Sequence, residues 1–178
     1  EVIIATGLNF PDALAGGVLA QDQYRPILLN DGPTVRADVG AYLISEGITS
    51  ATILGGTNAV PASVATELQA AYGLTVKRVS GSDRFATAVA IANELEGLPL
   101  TGPEGDAVVN VNGFGFADAL SAAPLAYQTG PGAGAPILLV AADSIPAPTA
   151  TYHKTWCDPI DDILVVGGTA VVSDAVVT

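Results

Sequence analysis

The chain has 178 residues, of which 49% are hydrophobic and only 13% are charged, so it is long enough to bury a core and lacks the composition of a disordered protein. Six basic residues stand against eighteen acidic ones, and this net charge of −12 argues against nucleic acids and anionic membranes as partners, because both are held through Lys and Arg. No apolar run approaches the roughly 20 residues of a membrane-spanning helix, and the single cysteine, Cys157, excludes an internal disulfide.

The first half of the chain alternates short β-rich runs with helical patterns, which favours parallel strands joined by crossover helices. The strand runs are apolar along their length, as in strands covered on both faces. Strands are predicted at Val2–Thr6, Pro26–Asn30, Ala51–Leu54 and Thr75–Val79. Helices are predicted between them, at Phe10–Gln21, Val35–Glu46 and Pro61–Tyr72.

A further helix is predicted after the segment SGSDRF at 80–85, with Ser82 as its N-cap. The residues from Gly97 to Gly105 are rich in Gly and Pro and are expected to form a linker. Strands follow at Ala107–Val111, Pro136–Val140 and Ile163–Val166. The stretch Ala141–Asp158 contains prolines and only a weak helical pattern, so we expect an irregular excursion with Trp156 and Cys157 packed beneath it.

Three blocks of the first half recur in the same order in the second half. GLNFPDALAGGVLA at 7–20 recurs as GFGFADALSAAPLA at 113–126, PILL at 26–29 recurs at 136–139, and ILGGT at 53–57 recurs as VVGGT at 165–169. Ordered matches of this kind indicate a tandem duplication. Because SGSDRF occurs once and the second copy stops one turn into its last predicted helix, we expect a fragment in which a further repeat packs against these two.

Polar residues follow the strands at the edge where open α/β sheets bind ligands. Asp12 and Asp118 occupy equivalent positions near predicted helix starts, where each could be a structural cap or a polar contact to a sugar or ion. Gly55 and Gly167 follow strands without the lysine of a phosphate loop, so they are expected to supply positive φ rather than to bind a nucleotide. Arg84 could form an ion pair that fixes its helix, or contact an anionic polymer.

The sequence offers few catalytic residues. His153 and Cys157 stand four residues apart in the predicted irregular stretch, and no further His or Cys could complete a zinc site with them. Nothing predicts a lowered thiol pKa for Cys157, and no serine elbow or pair of carboxylates accompanies them. We therefore predict no catalytic residue, no metal site and no cofactor.

Four segments, NFPDAL at 9–14, PILL at 26–29, ILGGTNAV at 53–60 and RVSGSDRFAT at 78–87, resemble the cell wall-binding repeat type 2 family of bacterial surface proteins. The resemblance implies an α/β fold of tandem Rossmann-like or flavodoxin-like repeats, with parallel sheets flanked by helices. In that family three repeats pack around a pseudo-threefold axis. The resemblance divides this chain into residues 1–80, a first repeat lacking its leading helix, and residues 81–178, a second repeat truncated at its last helix.

The resemblance also implies a function: a non-catalytic module that anchors a secreted protein to an anionic polysaccharide of the cell wall or cell surface. The residues it implicates are Ile27, Leu28, Leu29, Arg84, Ile137, Leu138 and Leu139. To these the strand-end positions add Asn9, Asp12 and Asp118, although the counterpart of Asn9 in the second copy is Gly115. The alternative is a self-assembling surface or adhesion scaffold in which the repeats mediate packing between proteins; an enzyme with a nucleotide-like cofactor is disfavoured.

Overall fold

A computed structural model describes residues 1–22, 24–96, 107–129, 134–156 and 162–177. The strands form two parallel sheets, which confirms the predicted α/β class. The first sheet, in the order β2-β1-β3-β4, contains β1 (Val2–Thr6), β2 (Ile27–Asn30), β3 (Ser50–Leu54) and β4 (Thr75–Val79). The second, in the order β6-β5-β7, contains β5 (Val108–Asn112), β6 (Ile137–Val140) and β7 (Ile163–Val166).

Eight helices connect and cover these strands in the described parts of the chain. They are α1 (Pro11–Ala15), α2 (Gly17–Asp22), α3 (Ala37–Ser45), α4 (Ala62–Ala70), α5 (Arg84–Glu96), α6 (Phe116–Thr129), α7 (Ala147–Trp156) and α8 (Asp174–Val177). The single helix predicted over Phe10–Gln21 is divided at Gly16, where a Cβ atom would overlap the side chain of Leu54. Among the described residues, no helix is both long and apolar enough to cross a membrane.

Several sequence-based predictions for the second half are wrong. Most of the expected irregular stretch is the helix α7, because Pro146 precedes it and Pro148 is its second residue, where a missing N–H breaks no intrahelical bond. Trp156 is not packed beneath a loop but is 52% exposed at the end of α7. The N-cap of α5 is Asp83 rather than Ser82, since Asp83 Oδ1 accepts a hydrogen bond from the Ala86 N–H at 2.8 Å. Cys157, Asp158 and the predicted linker lie outside the described residues.

The duplication is visible in the topology. In each copy the first strand is central and pairs in parallel with the next two strands, so that Ile4 pairs with Leu28 as Asn110 pairs with Leu138. We call the part from β1 to α4 the first copy and the part from β5 to α8 the second copy. Both copies contribute to one hydrophobic core, which contains Ile3 and Leu54 from the first and Val109 and Leu139 from the second. The two sheets are therefore joined by a shared interior rather than by a linker alone.

Equivalent positions meet where the copies face each other. The rings of Phe10 and Phe116, which match in the duplication, contact edge to face with centroids 6.0 Å apart. A Cβ atom on Gly17 would lie 3.0 Å from the Cβ of Ala123, its counterpart in the second copy. These contacts between like positions place an approximate symmetry axis between α1–α2 and α6.

Helix α5 covers the edge strand of the second sheet, whereas the equivalent edge strand of the first sheet has no such cover. It packs against the edge strand β6, and it also contacts α1 and α7. Strand β6 is buried along its whole length, whereas the equivalent strand β2 is mostly half-exposed. The expectation that strands are covered on both faces is thus met by β6 and not by β2.

Candidate functional site

Three loops at the carboxyl end of the first sheet surround a polar cleft of about 380 Å³. The loops follow β1, β3 and β4, and because the strands are parallel these loops lie at the same edge. The lining residues are Asn9, Pro11, Asp12, Gly56, Thr57, Asn58, Ala59, Gly81, Ser82, Asp83, Arg84 and Thr87. The cleft therefore brings together three of the predicted site residues, Asn9, Asp12 and Arg84.

Asp12 lies in the first turn of α1 with its carboxylate against the turn after β3. The N-cap position of α1 is Phe10 and carries no side-chain capping bond, so Asp12 is not the structural cap that the sequence favoured. Gly55 has φ +98°, and a Cβ there would overlap Asp12 Oδ2. Burial raises the pKa of Asp12 above its usual value, and the nearby Arg84 charge offsets part of this effect. The glycine at position 55 thus makes room for a desolvated carboxylate.

Arg84, the first residue of α5, connects the cleft to the second copy. Its Nη1 donates a hydrogen bond to the Gly113 carbonyl at 2.6 Å, and its guanidinium lies 4.7 Å from the centre of the Phe114 ring. The next residue, Phe85, contacts the same ring edge to face at 5.9 Å. Arg84 does fix its helix, but through a carbonyl and an aromatic ring rather than the ion pair considered from the sequence.

The second copy repeats only part of this arrangement. Asp118 is half-buried, and its Oδ2 would be 3.1 Å from a Cβ at Gly167, which has φ +138°. The positive φ expected of the glycines is therefore confirmed at both Gly55 and Gly167. Within the described residues no arginine follows β7 as Arg84 follows β4, so Asp118 has no comparable cationic neighbour on its own side.

The two apolar PILL segments are not equivalent in exposure. Ile27 and Leu28 are half-buried and Leu29 is 49% exposed; together they line a second cleft of about 380 Å³ with Arg36, Asp38, Val39 and Tyr42. Ile137, Leu138 and Leu139 are all at most 1% exposed. Because protein atoms cover these three side chains, they are not accessible to a polymer, and we leave them out of the contact surface proposed below.

The sequence of the chain matches one known protein family. The sequence matches the model of the cell wall binding domain 2 (CWB2) family over residues 1–65 and 78–177. The chain belongs to this family. The match covers both copies of the duplication, so each copy is a CWB2 repeat, as the sequence resemblance implied.

Proteins similar to this CWB2 chain include one enzyme and two solved structures. The chain is 30% identical over 174 residues to N-acetylmuramoyl-L-alanine amidase LytC of Bacillus subtilis, a match spanning 98% of this chain and 32% of the amidase. Cwp8 from Clostridium difficile is 28% identical with a TM-score of 0.77, over 98% of this chain and 28% of that chain. Cwp6 from the same organism shares the fold, with a TM-score of 0.82 at 24% identity over 99% of this chain and 26% of that chain. This CWB2 chain thus spans less than a third of each.

Sequence reasoning missed Arg78 in this CWB2 site. Its Nη1 donates to the Gly55 carbonyl at 2.6 Å, and its Nη2 is buried without a hydrogen-bond partner among the described residues. Burial lowers the pKa of Arg78. The sequence shows only that Arg78 stands near the end of a predicted strand. The parallel register of β3 and β4 is what brings Arg78 to Gly55, in the turn that follows β3.

The described residues contain no cluster that suggests a metal site. No group of three or more His, Cys, Asp or Glu side chains in those residues could hold a metal ion. His153 is half-buried, and its Nε2 lies 3.3 Å from Asn110 Oδ1 on β5. That contact belongs to the packing of α7 on the second sheet, and neither residue lines the polar cleft.

Proposed function

We propose that this chain is a non-catalytic cell wall-binding module that anchors a secreted protein to an anionic glycopolymer of the bacterial wall. The observation that carries the proposal is the polar cleft at the edge of the first sheet. Its hydroxyl, amide and carboxylate groups suit sugar hydroxyls, and Arg84 supplies a cation for an acidic substituent. The CWB2 family assignment and the similarity to Cwp8 support a role at the cell surface.

Local charge reconciles an acidic protein with an anionic ligand. The net charge is −12, but two of the six basic residues, Arg78 and Arg84, lie at the end of the first sheet. Burial raises the pKa of Asp12, and the positive charge of Arg84 beside it offsets part of this effect. We therefore propose that Asn9, Asp12 and Arg84 contact the polymer, with Ile27, Leu28 and Leu29 forming an apolar flank, and that Asp118 takes the equivalent place in the second copy.

The domain division that we propose is residues 1–80 for the first repeat and 81–178 for the second. Helix α5, which begins at Arg84, packs mainly on β6 of the second sheet, and this supports assigning it to the second repeat. Exposed apolar side chains on the first copy and on α6, notably Leu8, Phe116 and Leu120, support a further repeat of the family as a packing partner.

We propose that the amidase activity of LytC belongs to the part of that enzyme outside the matched third. In our proposal the CWB2 part supplies attachment, and the protein that contains this chain carries its own effector. The support is the extent of the match, 32% of the amidase, together with the polar side chains that line the cleft.

Retention on purified cell walls tests the proposed function. The chain is incubated with walls at low and moderate salt, and the bound fraction is measured after sedimentation. We expect binding that weakens with salt, and a several-fold loss for Arg84→Lys and Asn58→Ala, two changes in the cleft. The matched controls are Arg25→Lys and Asn93→Ala, positions that line neither the polar cleft nor the cleft beside Leu29. Absence of retention at both salt concentrations would contradict the proposal.

The second candidate, a self-assembling surface scaffold, is favoured by the same exposed side chains of Leu8, Phe116 and Leu120. Light scattering separates the two functions. A monomer that is retained on walls supports the anchoring module, whereas concentration-dependent assembly without wall retention supports the scaffold.

A further inference from the structure

Gly55, the first residue of the turn between β3 and α4, is bonded to β4 through both of its backbone polar groups. Its N–H donates a hydrogen bond to the Val79 carbonyl at 2.9 Å. Its carbonyl accepts a hydrogen bond from Arg78 Nη1 at 2.6 Å. Two consecutive residues of β4, one through its backbone and one through its side chain, therefore fix the start of this turn.

The same turn forms one side of the polar cleft and covers Asp12. Gly56, Thr57 and Asn58 line the cleft. Asp12 is 8% exposed, and its Oδ2 lies so close to Gly55 that a Cβ atom there would overlap it. Thr57 and Asn58 are exposed, and neither side chain has a hydrogen-bond partner among the described residues. The position of these two side chains therefore depends on how the start of the turn is held.

The second copy has the equivalent turn without an arginine at its start. Gly167 follows β7 as Gly55 follows β3, but no strand of the described residues pairs with β7 as β4 pairs with β3. Gly167 is exposed and has φ +138°, whereas Gly55 is buried and has φ +98°. The equivalent carboxylate, Asp118, is half-buried, and a Cβ atom at Gly167 would be 3.1 Å from its Oδ2. The turn thus lies closer over its carboxylate in the copy where β4 and Arg78 hold it.

An arginine at position 78 lowers the stability of the sheet in one respect. Val76, two residues earlier and therefore on the same face of β4, packs against the apolar cluster of the first copy. Arg78 on that face leaves its Nη2 buried without a hydrogen-bond partner among the described residues, which is unfavourable. What the arginine supplies, and an apolar side chain would not, is the bond to the Gly55 carbonyl.

We propose that Arg78 is a positioning residue of the polar cleft, which holds the Gly55 carbonyl and so keeps the turn over Asp12. Through the turn it sets where Thr57 and Asn58 stand when the wall polymer binds. This role is separate from the positive charge that Arg78 adds to the end of the sheet. The inference rests on the proposed function for the identity of the ligand, and on contacts between protein groups for the position of the turn.

The pKa of the Asp12 carboxyl group, measured by carbon NMR titration of the full chain, tests the inference. In Arg78→Met the released turn would let water reach Asp12, so its pKa should fall towards the usual value. If Arg78 acted only through its charge, the loss of that charge would instead raise the pKa of Asp12. Arg78→Lys keeps the charge and one donor on a shorter side chain, and its Asp12 pKa should lie between those of the original chain and Arg78→Met.

Two controls accompany this titration. The pKa of Asp118 should not change in either variant, because its turn does not contact β4; an unchanged value also shows that the second copy remains folded. Lys77→Met removes a charge from the neighbouring exposed position of β4 and should leave the pKa of Asp12 as it is. An Asp12 pKa that is unchanged or raised in Arg78→Met would overturn the inference.

Retention on purified cell walls connects the position of the turn to binding. Arg78→Met should reduce the bound fraction several-fold, Arg78→Lys less, and Lys77→Met not at all. Undiminished retention of Arg78→Met, in a preparation where Arg84→Lys loses retention, would also overturn the inference. If the original chain itself is not retained, the proposed function fails, whereas the titration of Asp12 still decides whether Arg78 holds the turn.

Discussion

A buried polar pair in the second copy takes the place of an apolar pair in the first. Asn110 on β5 takes the register position of Ile4 on β1, and His153 lies on α7 after β6 as Leu43 lies on α3 after β2; Ile4 and Leu43 are at most 2% exposed. Asn110 is 1% exposed; its Oδ1 contacts His153, and its Nδ2 has no hydrogen-bond partner among the described residues. The second copy therefore retains a polar group in its interior at a cost in stability.

The double variant Asn110→Ile, His153→Leu restores the pair found in the first copy. Leaving a buried donor unpaired costs about 1–3 kcal/mol, so the free energy of unfolding should rise by about that amount at pH 7.5. For a chain of this length the midpoint of thermal unfolding would rise by about 2–4 °C for each kcal/mol. The single variant His153→Leu should instead be less stable than the original chain, because it removes the contact that Asn110 makes.

The pH dependence of the free energy of unfolding gives a second, independent measure of the effect of His153. Burial lowers the pKa of His153, so below the unfolded value of about 6.5 the unfolded chain takes up a proton more readily than the folded chain. Stability from this residue is therefore fully present above that pH and is lost as the pH falls through the lower folded pKa. The double variant lacks this loss of stability. The difference between its free energy of unfolding and that of the original chain should therefore be larger at pH 5.5 than at pH 7.5.

Urea unfolding followed by circular dichroism at both pH values measures these differences. Because the original and variant chains share every other titrating group, the change in their stability gap isolates His153. A double variant that is less stable than the original at pH 7.5, or a gap of the same size at both pH values, would refute the reasoning.

Three further pairs of measurements test the structure. Gly55→Ala should lower the free energy of unfolding by more than about 2 kcal/mol, because the new Cβ would sit at a positive φ and overlap a carboxylate oxygen of Asp12. Gly167→Ala should lower it by less, since the nearest carboxylate oxygen would be 3.1 Å away. Equal losses of stability in urea unfolding would contradict this. Leu139→Ala should cost about 2–5 kcal/mol and the exposed Leu29→Ala less than half as much, a difference that thermal unfolding resolves. Thr149→Val removes a buried hydrogen bond of 2.7 Å to the Leu139 carbonyl and should cost about 1 kcal/mol, which an unchanged unfolding midpoint would disprove.

Local patterns were sufficient to predict the strands and the duplication. Val2–Thr6 and Ile163–Val166 are strands with the predicted bounds, because short apolar runs between turn signals depend little on distant residues. Thr75–Val79 also has the predicted bounds, but it contains Lys77 and Arg78 and alternates between exposed and less exposed residues, so the expectation of a run that is apolar along its length is wrong for β4. The helix α7 was missed for the opposite reason: its prolines lie at the helix start, where they are tolerated, and its apolar pattern is weak because much of the helix faces solvent.

The candidate site was predictable only in part. Asn9, Asp12 and Arg84 follow strands or begin helices, so their position at one edge could be inferred. The burial of Leu139 and the exposure of Leu29 could not, because both leucines stand in the same four-letter segment. What distinguishes them is α5, a helix that packs on β6 and has no comparable contact with the equivalent strand β2.

The contact between the matched positions Phe10 and Phe116 limits what this position of the repeat can hold. Both partners of the ring contact occupy the same place in the repeat, so a larger side chain introduced in both copies would be doubled at the point where the copies touch. The position therefore tolerates a smaller increase in side-chain volume than a surface position that does not meet its counterpart.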